Sequence, residues 1–276
     1  ILADVPRPKT VVCVSGTNGK TTTNNLLNDL LADNEYEVVN NRAGGNVANG
    51  IQSTLIRNAT MSGGTKKDMA VMELDELSFR KVLPYLTPDI ILVTNLYRDS
   101  FSRNANPDFI FNVMSHYVSL KTKLVLNADD LISCRLAPQD ANRVYYSIGR
   151  LADDTAEPQG IVCDLTACPV CGGKLEYDYC HLRHLGHATC KSCGFTNPKP
   201  DYELTALDRQ AHTFTVCERS HEGAPTHTYR YGNYSITNLY NLFSTVVVAR
   251  ELGLSAEAIG ASLKRGINVT ALRYTE

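Results

Sequence analysis

No apolar stretch in this sequence is long enough to cross a bilayer. Its longest runs, Ile90 to Val93 and Ser244 to Ala249, fall far short of the ~20 residues a spanning helix needs. It does not open on a charged-then-apolar leader either, so export is not expected and the reading is cytoplasmic. An excess of one charge is also missing. Lys and Arg number 27 and Asp and Glu 29, a formal net charge of −2, which argues against a chain built chiefly to grip nucleic acid. There is no internal repeat at a solenoid period and no low-complexity tract. No Gly-x-Cys-x-Gly or Gly-x-Ser-x-Gly elbow occurs, so the chain is not expected to hydrolyse glutamine itself.

What is present is an ordinary globular composition, 43% hydrophobic and 20% charged, over 276 residues. That length fits one or two domains at roughly 100–200 residues each and suffices to bury a real core. In a reducing compartment the nine cysteines read as metal ligands or plain core thiols, not disulfides.

The β-branched run Thr10 to Val14 leads at once into Ser15-Gly16-Thr17-Asn18-Gly19-Lys20-Thr21, and Leu26, Leu27, Leu30 and Leu31 then fall at helical spacing. The order is strand, glycine loop, helix. Further strands are predicted at 69–72, 90–93 and 124–126, each ending in a polar cluster (Glu73 to Glu76, Thr94-Asn95, Asn127 to Asp130), with helices around 46–58, 77–83 and 107–119. Buried strands alternating with helices describe an α/β fold with a P-loop-type, mostly parallel sheet and helices on both faces. In such sheets ligands bind at the carboxyl ends of the strands. After about residue 150 the pattern changes. A polar, acidic stretch gives way to a Cys-, His- and Gly-rich segment, then to antiparallel β over 202–231 with a turn at Ser220 to Pro225, and then to a long helix from Ser235. The division predicted is an ATP-binding α/β domain over 1–160 and 201–276, interrupted by a four-cysteine zinc-ribbon insert at 161–200.

Backbone N–H groups of a tight glycine turn surround phosphate oxygens, helped by the following helix N-terminus. A lysine then reaches the β and γ phosphates and the next hydroxyl holds Mg²⁺. Lys20 and Thr21 occupy those places, with Thr22 and Thr23 as further hydroxyls; Val14 stands where the commoner loop has its first glycine, so this is the shorter Gly-x-x-Gly-Lys-Thr form. Glu73, at a strand end, is the favoured Mg²⁺ carboxylate, with Asp75 and Glu76 as alternatives.

Cys168-Pro169-Val170-Cys171-Gly172 and Cys190-Lys191-Ser192-Cys193-Gly194 are two Cys-x-x-Cys-Gly knuckles with 18 residues between Cys171 and Cys190. That spacing fits a zinc site of four cysteines, closed and structural, worth on the order of 10 kcal/mol to the local fold. Loss of the ion is expected to loosen 164–200 and to leave the nucleotide loop largely intact. Residues 164–200 carry only Lys174, Arg183, Lys191 and Lys199 as basic side chains, so no nucleic-acid partner is expected. Cys180, His181, His184 and His187 read as bystanders, and Cys13, Cys134, Cys163 and Cys217 as core thiols.

In this order, Gly16 to Thr21, Thr94-Asn95-Leu96-Tyr97-Arg98-Asp99, Leu126 to Asp130 and Tyr231 to Asn241 resemble the central ATPase domain of the Mur ligase superfamily. The inserted knuckles resemble its MurT-type branch, the synthase subunit of lipid II isoglutaminyl synthases. The resemblance spans roughly residues 10–276. It implies an ATP-dependent carbon–nitrogen ligase that activates the D-glutamate carboxylate of a lipid-linked muropeptide as an acyl phosphate. Ammonia from a GatD-type class-I glutaminase, the expected heterodimer partner, then attacks it. Carried over by position, Gly16, Thr17, Asn18, Gly19, Lys20, Thr21, Thr22, Asn95 and Asn238 bind the nucleotide, Asn238 at adenine. Thr21 and Glu73 hold Mg²⁺, Lys20 and Glu73 carry catalysis, and Asp99, Asp129 and Asp130 lie nearby. The implied cofactors are ATP, Mg²⁺ and, on Cys168, Cys171, Cys190 and Cys193, Zn²⁺.

The departures matter. Amino-acid-adding Mur ligases place a carbamylated lysine in the helix after the third strand, where residues 104–120 contain none and Met114 stands near the position. Ser102 and Arg103 replace the usual residues after the third motif, and the end of the central domain survives only as Leu272 to Glu276. Mur-type ligases carry a further C-terminal domain, so the resemblance implies a fragment inactive alone. The alternatives are another Mur-superfamily ligase, of the amino-acid-adding or folylpolyglutamate kind, and a zinc-ribbon NTPase binding module.

Overall fold

A computed structural model describes residues 2–42, 45–96, 107–137, 140–157, 165, 167–232 and 235–266. Strands and helices alternate through the first half: β1 (Thr10–Ser15), α1 (Lys20–Asp33), β2 (Val38–Asn40), α2 (Ala48–Asn58), β3 (Met69–Glu73), α3 (Phe79–Val82), β4 (Ile90–Val93), α4 (Pro107–Tyr117), β5 (Lys123–Asn127) and β6 (Arg143–Ile148). A hairpin of β7 (Leu175–Leu182) and β8 (Leu185–Cys190) follows, then a meander of β9 (Tyr202–Asp208), β10 (Thr213–Glu218) and β11 (Thr226–Arg230), and finally α5 (Ile236–Glu251) and α6 (Ala256–Arg265). Among the described residues no helix is long and apolar enough to cross a membrane.

The nine-stranded sheet runs β2-β3-β1-β4-β5-β6-β9-β10-β11, parallel throughout except for β10. Because side chains alternate across a strand, each central strand feeds two cores. Val12, Val14, Val71, Ile90, Leu92 and Val125 face α1 and α5, meeting Leu27, Leu30, Leu31, Phe243 and Val247. Val11, Cys13, Ala70, Met72, Ile91, Val93, Leu124 and Leu126 face α2, α3 and α4, meeting Ile51, Leu55, Phe79, Val82, Ile110 and Met114. Each such fully buried Leu, Ile or Phe contributes roughly 1.5–3 kcal/mol. Helix α5 is buried without a break from Leu239 to Ala249, which is why its sequence shows an apolar run and no stripe.

The predicted strands at 10–14, 69–72, 90–93 and 124–126 and the three helices between them are all present. Strands β2 and β6 and helix α6 come in addition. The stretch 202–231 is antiparallel as expected, and it joins the main sheet: β9 pairs in parallel with β6, Tyr146 opposite Tyr202, and the meander extends from there. The β6-to-β9 crossover carries the β7–β8 hairpin where earlier crossovers carry helices. Leu165, Cys168, Leu175, Ala188 and Cys190 pack into the same cluster as Leu124 and Leu126, so the cysteine segment shares the core of the sheet it sits on.

The chain leaves β1 toward β3 and β2 on one side, and later places β4, β5 and β6 on the other. Loops after β1, β3 and β4 therefore diverge at the carboxyl end of β1, the crevice where open α/β sheets hold ligands.

Candidate active site

The loop from Gly16 to Gly19 joins β1 to α1 at that crevice. Two of its residues need positive φ, 120° at Gly16 and 85° at Gly19, and neither has room for a side chain. A Cβ at Gly16 would stand 2.8 Å from the Asn95 carbonyl oxygen, and one at Gly19 would meet the Asn241 side chain. Asn95 fixes the loop: its carbonyl accepts from Thr17 N at 2.9 Å, its Oδ1 accepts from Asn18 N at 3.0 Å, and its Nδ2 donates to Asn18 O at 3.1 Å. Thr94 Oγ1 donates to the same Asn18 carbonyl at 2.6 Å.

Lys20, the first residue of α1, folds back so that Nζ donates to Gly16 O and, at 3.1 Å, to Glu76 Oε1. Burial pushes the Glu76 carboxyl up, and the Lys20 ammonium opposes that shift. Thr21 Oγ1 donates to Glu73 Oε2 at 2.7 Å, and Asn46 Nδ2 donates to Glu73 Oε1 at 2.8 Å. Asn41 clamps the Glu73 backbone, accepting from its N at 2.9 Å and donating to its O at 2.8 Å. Thus two of the three acids left open by sequence reach the loop: Glu73 sits on the hydroxyl and Glu76 on the ammonium. Asp75 does neither; its side chain caps the turn at Leu77 N.

The loop and Glu73 border a cleft of about 540 Å³, with Glu76 and Asn41 set behind its lining. Thr17, Asn18, Gly19, Lys20, Thr21, Thr22, Glu73, Asn95 and Asn238 all border it, and Gly16 lies behind the loop, buried against Thr94 and Asn95. Asn238 arrives on the first turn of α5, which Ser235 caps by accepting from Asn238 N at 3.4 Å. Asn46, Thr237, Tyr240 and Asn241 complete that wall, and Leu182, Arg183 and Leu185 enter from the hairpin turn. Sequence reading missed these residues. Asn241 and Tyr240 stand inside a quoted motif, but nothing local marked the hairpin turn.

Asp129 and Asp130 do not face the cleft. Both are buried, and both tie strand ends together. Asp129 accepts from Ser147 Oγ (2.7 Å), Ile148 N (2.8 Å) and Tyr240 Oη (2.7 Å), and burial pushes its carboxyl up. Asp130 accepts from Leu96 N (2.7 Å) and Ile132 N (2.9 Å) and lies 3.4 Å from His184 Nε2. Burial works against its charge, yet the His184 ring beside it and the Leu96 N–H hold its carboxyl below the usual range. Met114 is fully buried in the core of α4 and does not reach the site. Tyr97 to Asp99, Ser102 and Arg103, Cys163 and the stretch 272–276 lie outside the described residues.

The sulfurs of Cys168, Cys171, Cys190 and Cys193 all lie within 4.8 Å of one another. Cys168 and Cys193 are 3.7 Å apart and Cys171 and Cys190 3.5 Å, close to the roughly 3.8 Å edge that four ~2.3 Å metal–sulfur bonds give a tetrahedron. Gly172 (φ 73°) and Gly194 (φ 72°) make the knuckle turns. Backbone N–H groups of Cys193 and Ser192 pull the Cys190 thiol down, while at Cys193 a backbone N–H from Phe195 is outweighed by the neighbouring sulfurs, which push its thiol up. The other candidates are spoken for: His181 Nδ1 lies 2.8 Å from Asp154, His187 Nδ1 lies 2.6 Å from Asp178, and Cys180 Sγ donates to Arg183 O at 2.7 Å. Cys13, Cys134 and Cys217 are buried free thiols.

A glycine loop with Lys and Thr at a helix start, an acid on the neighbouring strand and an asparagine-rich second wall define a nucleotide-type cleft on an α/β sheet. Residues 14–170 match the Mur ligase middle domain, and the chain belongs to that family. It is 35% identical over 250 residues to the lipid II isoglutaminyl synthase subunit MurT of Staphylococcus aureus strain COL, covering 90% of this chain and 54% of that protein. It is 28% identical to the Streptococcus pneumoniae R6 subunit of the same name, covering 94% and 56%. A solved pseudomurein peptide ligase type C from Methanothermus fervidus superposes with TM-score 0.73 at 26% identity, covering 96% of this chain and 50% of that one. The chain thus spans about half the length of the curated relatives it matches.

Proposed function

We propose that this chain is the nucleotide-binding part of an ATP-dependent carbon–nitrogen ligase acting on a peptidoglycan precursor, of the MurT kind. Its cleft takes MgATP. Gly16, Thr17, Asn18, Gly19 and Thr22 surround the phosphates with backbone and hydroxyl donors, Lys20 neutralises charge at the γ phosphate, and Asn95 and Asn238 hold the loop and the adenine side. Thr21 and Glu73 hold Mg²⁺; an all-oxygen donor pair at a strand end suits that hard ion, which offsets phosphate charge when bound. The observation that carries the reading is the pairing of Thr21 with Glu73 and of Lys20 with Glu76 at the mouth of one glycine loop.

In the reaction proposed, a carboxylate oxygen of the D-glutamate residue of lipid II attacks the γ phosphorus and ADP leaves. Ammonia from a GatD-type glutaminase then attacks the acyl phosphate carbon, inorganic phosphate leaves, and an amide remains. The protein's share is positioning and charge neutralisation, since the transferred group carries its charge on oxygens. We assign Zn²⁺ to Cys168, Cys171, Cys190 and Cys193 as a closed structural site, and 161–200 as the insert that carries it. The relatives' names support the substrate class, and the spacing of the four sulfurs supports the metal.

Calorimetry with MgATP tests the nucleotide assignment. Lys20→Ala is expected to weaken binding tenfold or more, about 1.4 kcal/mol. Unchanged affinity in that variant refutes it.

A further inference from the structure

The four-cysteine segment and the nucleotide cleft are one piece of architecture. Sequence spacing treats them as separate, with the ion at one place and the phosphates at another. In the fold, the four sulfurs gather at the open end of the β7–β8 hairpin, while the two-residue turn at its other end, Arg183-His184, closes between Leu182 and Leu185 at the cleft. Among the described residues that line the cleft, Lys20 and Arg183 are the two cationic side chains.

The turn is held there at a local cost. Arg183 has φ 53°, in the left-handed region that a turn of this kind normally gives to glycine. Non-glycine residues stay in such conformations when their surroundings over-determine them, and they concentrate at functional sites. The surroundings here are explicit. Cys180 Sγ donates to the Arg183 carbonyl, and the buried His184 ring lies 3.4 Å from Asp130. Gly186 N donates to Asp129 O at 3.1 Å, and Asn197 Nδ2 bridges Ala128 O (2.7 Å) and Gly186 O (2.9 Å). Asp130 in turn accepts from Leu96 N, one residue beyond the Asn95 that sets the phosphate loop. A chain of buried contacts therefore fixes the hairpin turn to the same strand end that fixes Gly16 to Gly19.

We propose that Arg183 is a nucleotide-binding residue: it supplies the second cation of the cleft and neutralises phosphate charge of the bound nucleoside triphosphate together with Lys20. The inference rests on the nucleotide reading above. A triphosphate brings several negative charges into a cleft that also holds Glu73, and a guanidinium is suited to paired phosphate oxygens. The hairpin, braced by the cysteine site at its far end, then acts as the rigid arm that presents this side chain, and the module's purpose lies in the site it borders.

The test uses Arg183→Gly, Arg183→Ala, Arg183→Lys and Lys20→Ala, with MgATP as probe and calorimetric affinity, its salt dependence and ligand-free melting temperature as readouts. Arg183→Gly relieves the left-handed backbone, so it is expected to melt at or above the parent temperature while binding MgATP at least fivefold more weakly. Arg183→Ala is expected to lose as much affinity and to flatten the salt dependence, and Arg183→Lys to recover part of it. Arg183→Gly and Arg183→Ala within twofold of the parent, while Lys20→Ala loses binding, overturn this inference and leave the nucleotide reading standing. Full binding in Lys20→Ala as well overturns both. Affinity and ligand-free stability falling together in all three Arg183 variants assign the residue to the hairpin's own fold and also overturn the inference.

Discussion

Replacing Asp129 by alanine removes one carboxylate and strands a large part of the network around the cleft. Its two oxygens serve three donors: Ser147 Oγ at 2.7 Å, Ile148 N at 2.8 Å and Tyr240 Oη at 2.7 Å. The residue is 2% exposed, so water has no ready path to the donors left behind. A buried donor without a partner costs about 1–3 kcal/mol. The parent carboxylate also carries a burial penalty, seen in its raised pKa, and removing it returns part of that loss. The net expectation is a destabilisation of roughly 3–6 kcal/mol, a large share of the ~5–15 kcal/mol that holds a typical domain. At about 3 °C per kcal/mol for a chain of this size, the melting temperature should fall by roughly 9–18 °C. Asp129→Asn keeps one acceptor oxygen in place but turns an amide against donors, so it should lie between the parent and Asp129→Ala. Urea unfolding followed by circular dichroism measures the difference directly. A loss under 1 kcal/mol in Asp129→Ala would refute the account, because it would mean that none of the three donors depends on this carboxylate.

Freshly purified protein is expected to hold a single zinc equivalent by elemental analysis, and Cys193→Ser, at one of the exposed knuckle positions, should carry well under one; an undiminished metal content in that variant sinks the four-sulfur assignment. Acid should unfold the protein through carboxylates held below their usual range. Burial opposes the charge on Glu218, but Arg250 grips it at both oxygens (2.6 and 3.0 Å) and His221 and His227 add to the effect, while Asp130 is held down against burial by its own bonds. Such groups contribute stability above the ordinary carboxylate pKa of about 4, and that contribution is withdrawn as pH falls through their lower folded values. Glu218→Gln should therefore melt below the parent at pH 7 and converge toward it below about pH 4; a pH-independent gap would show that ionisation of Glu218 is not the cause. Glu76 and Asp129, raised by burial, run the other way and do not add to the acid transition.

The sheet was legible because its strands are buried on both faces. Runs such as Val11 to Val14 and Ile90 to Val93 are apolar at every position, and each ends abruptly in polar residues at the ligand-binding edge. Helix α5 was legible from its cap and its length. Strand β2 has three residues and offers no pattern. Strand β6 mixes Arg143 and two tyrosines with Val144: Arg143 spends its guanidinium on the Leu136 and Ala137 carbonyls, while Tyr146 packs edge-on against Phe243 of α5. The meander's place in the main sheet depends on β6 and β9 pairing across more than fifty residues, and nothing local encodes that.

The phosphate side of the site was legible for the same reason as the loop itself: Gly16, Gly19, Lys20 and Thr21 act through backbone geometry and spacing within a few residues, which a linear sequence displays. The choice among Glu73, Asp75 and Glu76 was not, because it turns on which way each carboxylate points after the strand ends. Only the fold separates the acid on Thr21 from the acid on Lys20 and from the one that caps its own turn. Asp129 and Asp130 stand in a motif that reads as part of the site, yet each spends its charge on buried donors that hold the site's walls. The hairpin shows the limit most clearly. Its cysteines announce a metal by spacing alone, but its turn carries an arginine and a histidine in a polar stretch that any surface loop would tolerate. What makes Arg183 a wall of the cleft is the length of β7 and β8, which carries the turn from the cysteine end to the end of β5. There His184 meets Asp130. Reach of that kind is a property of assembled strands, so a residue placed by it leaves no signature within its own neighbourhood in the chain.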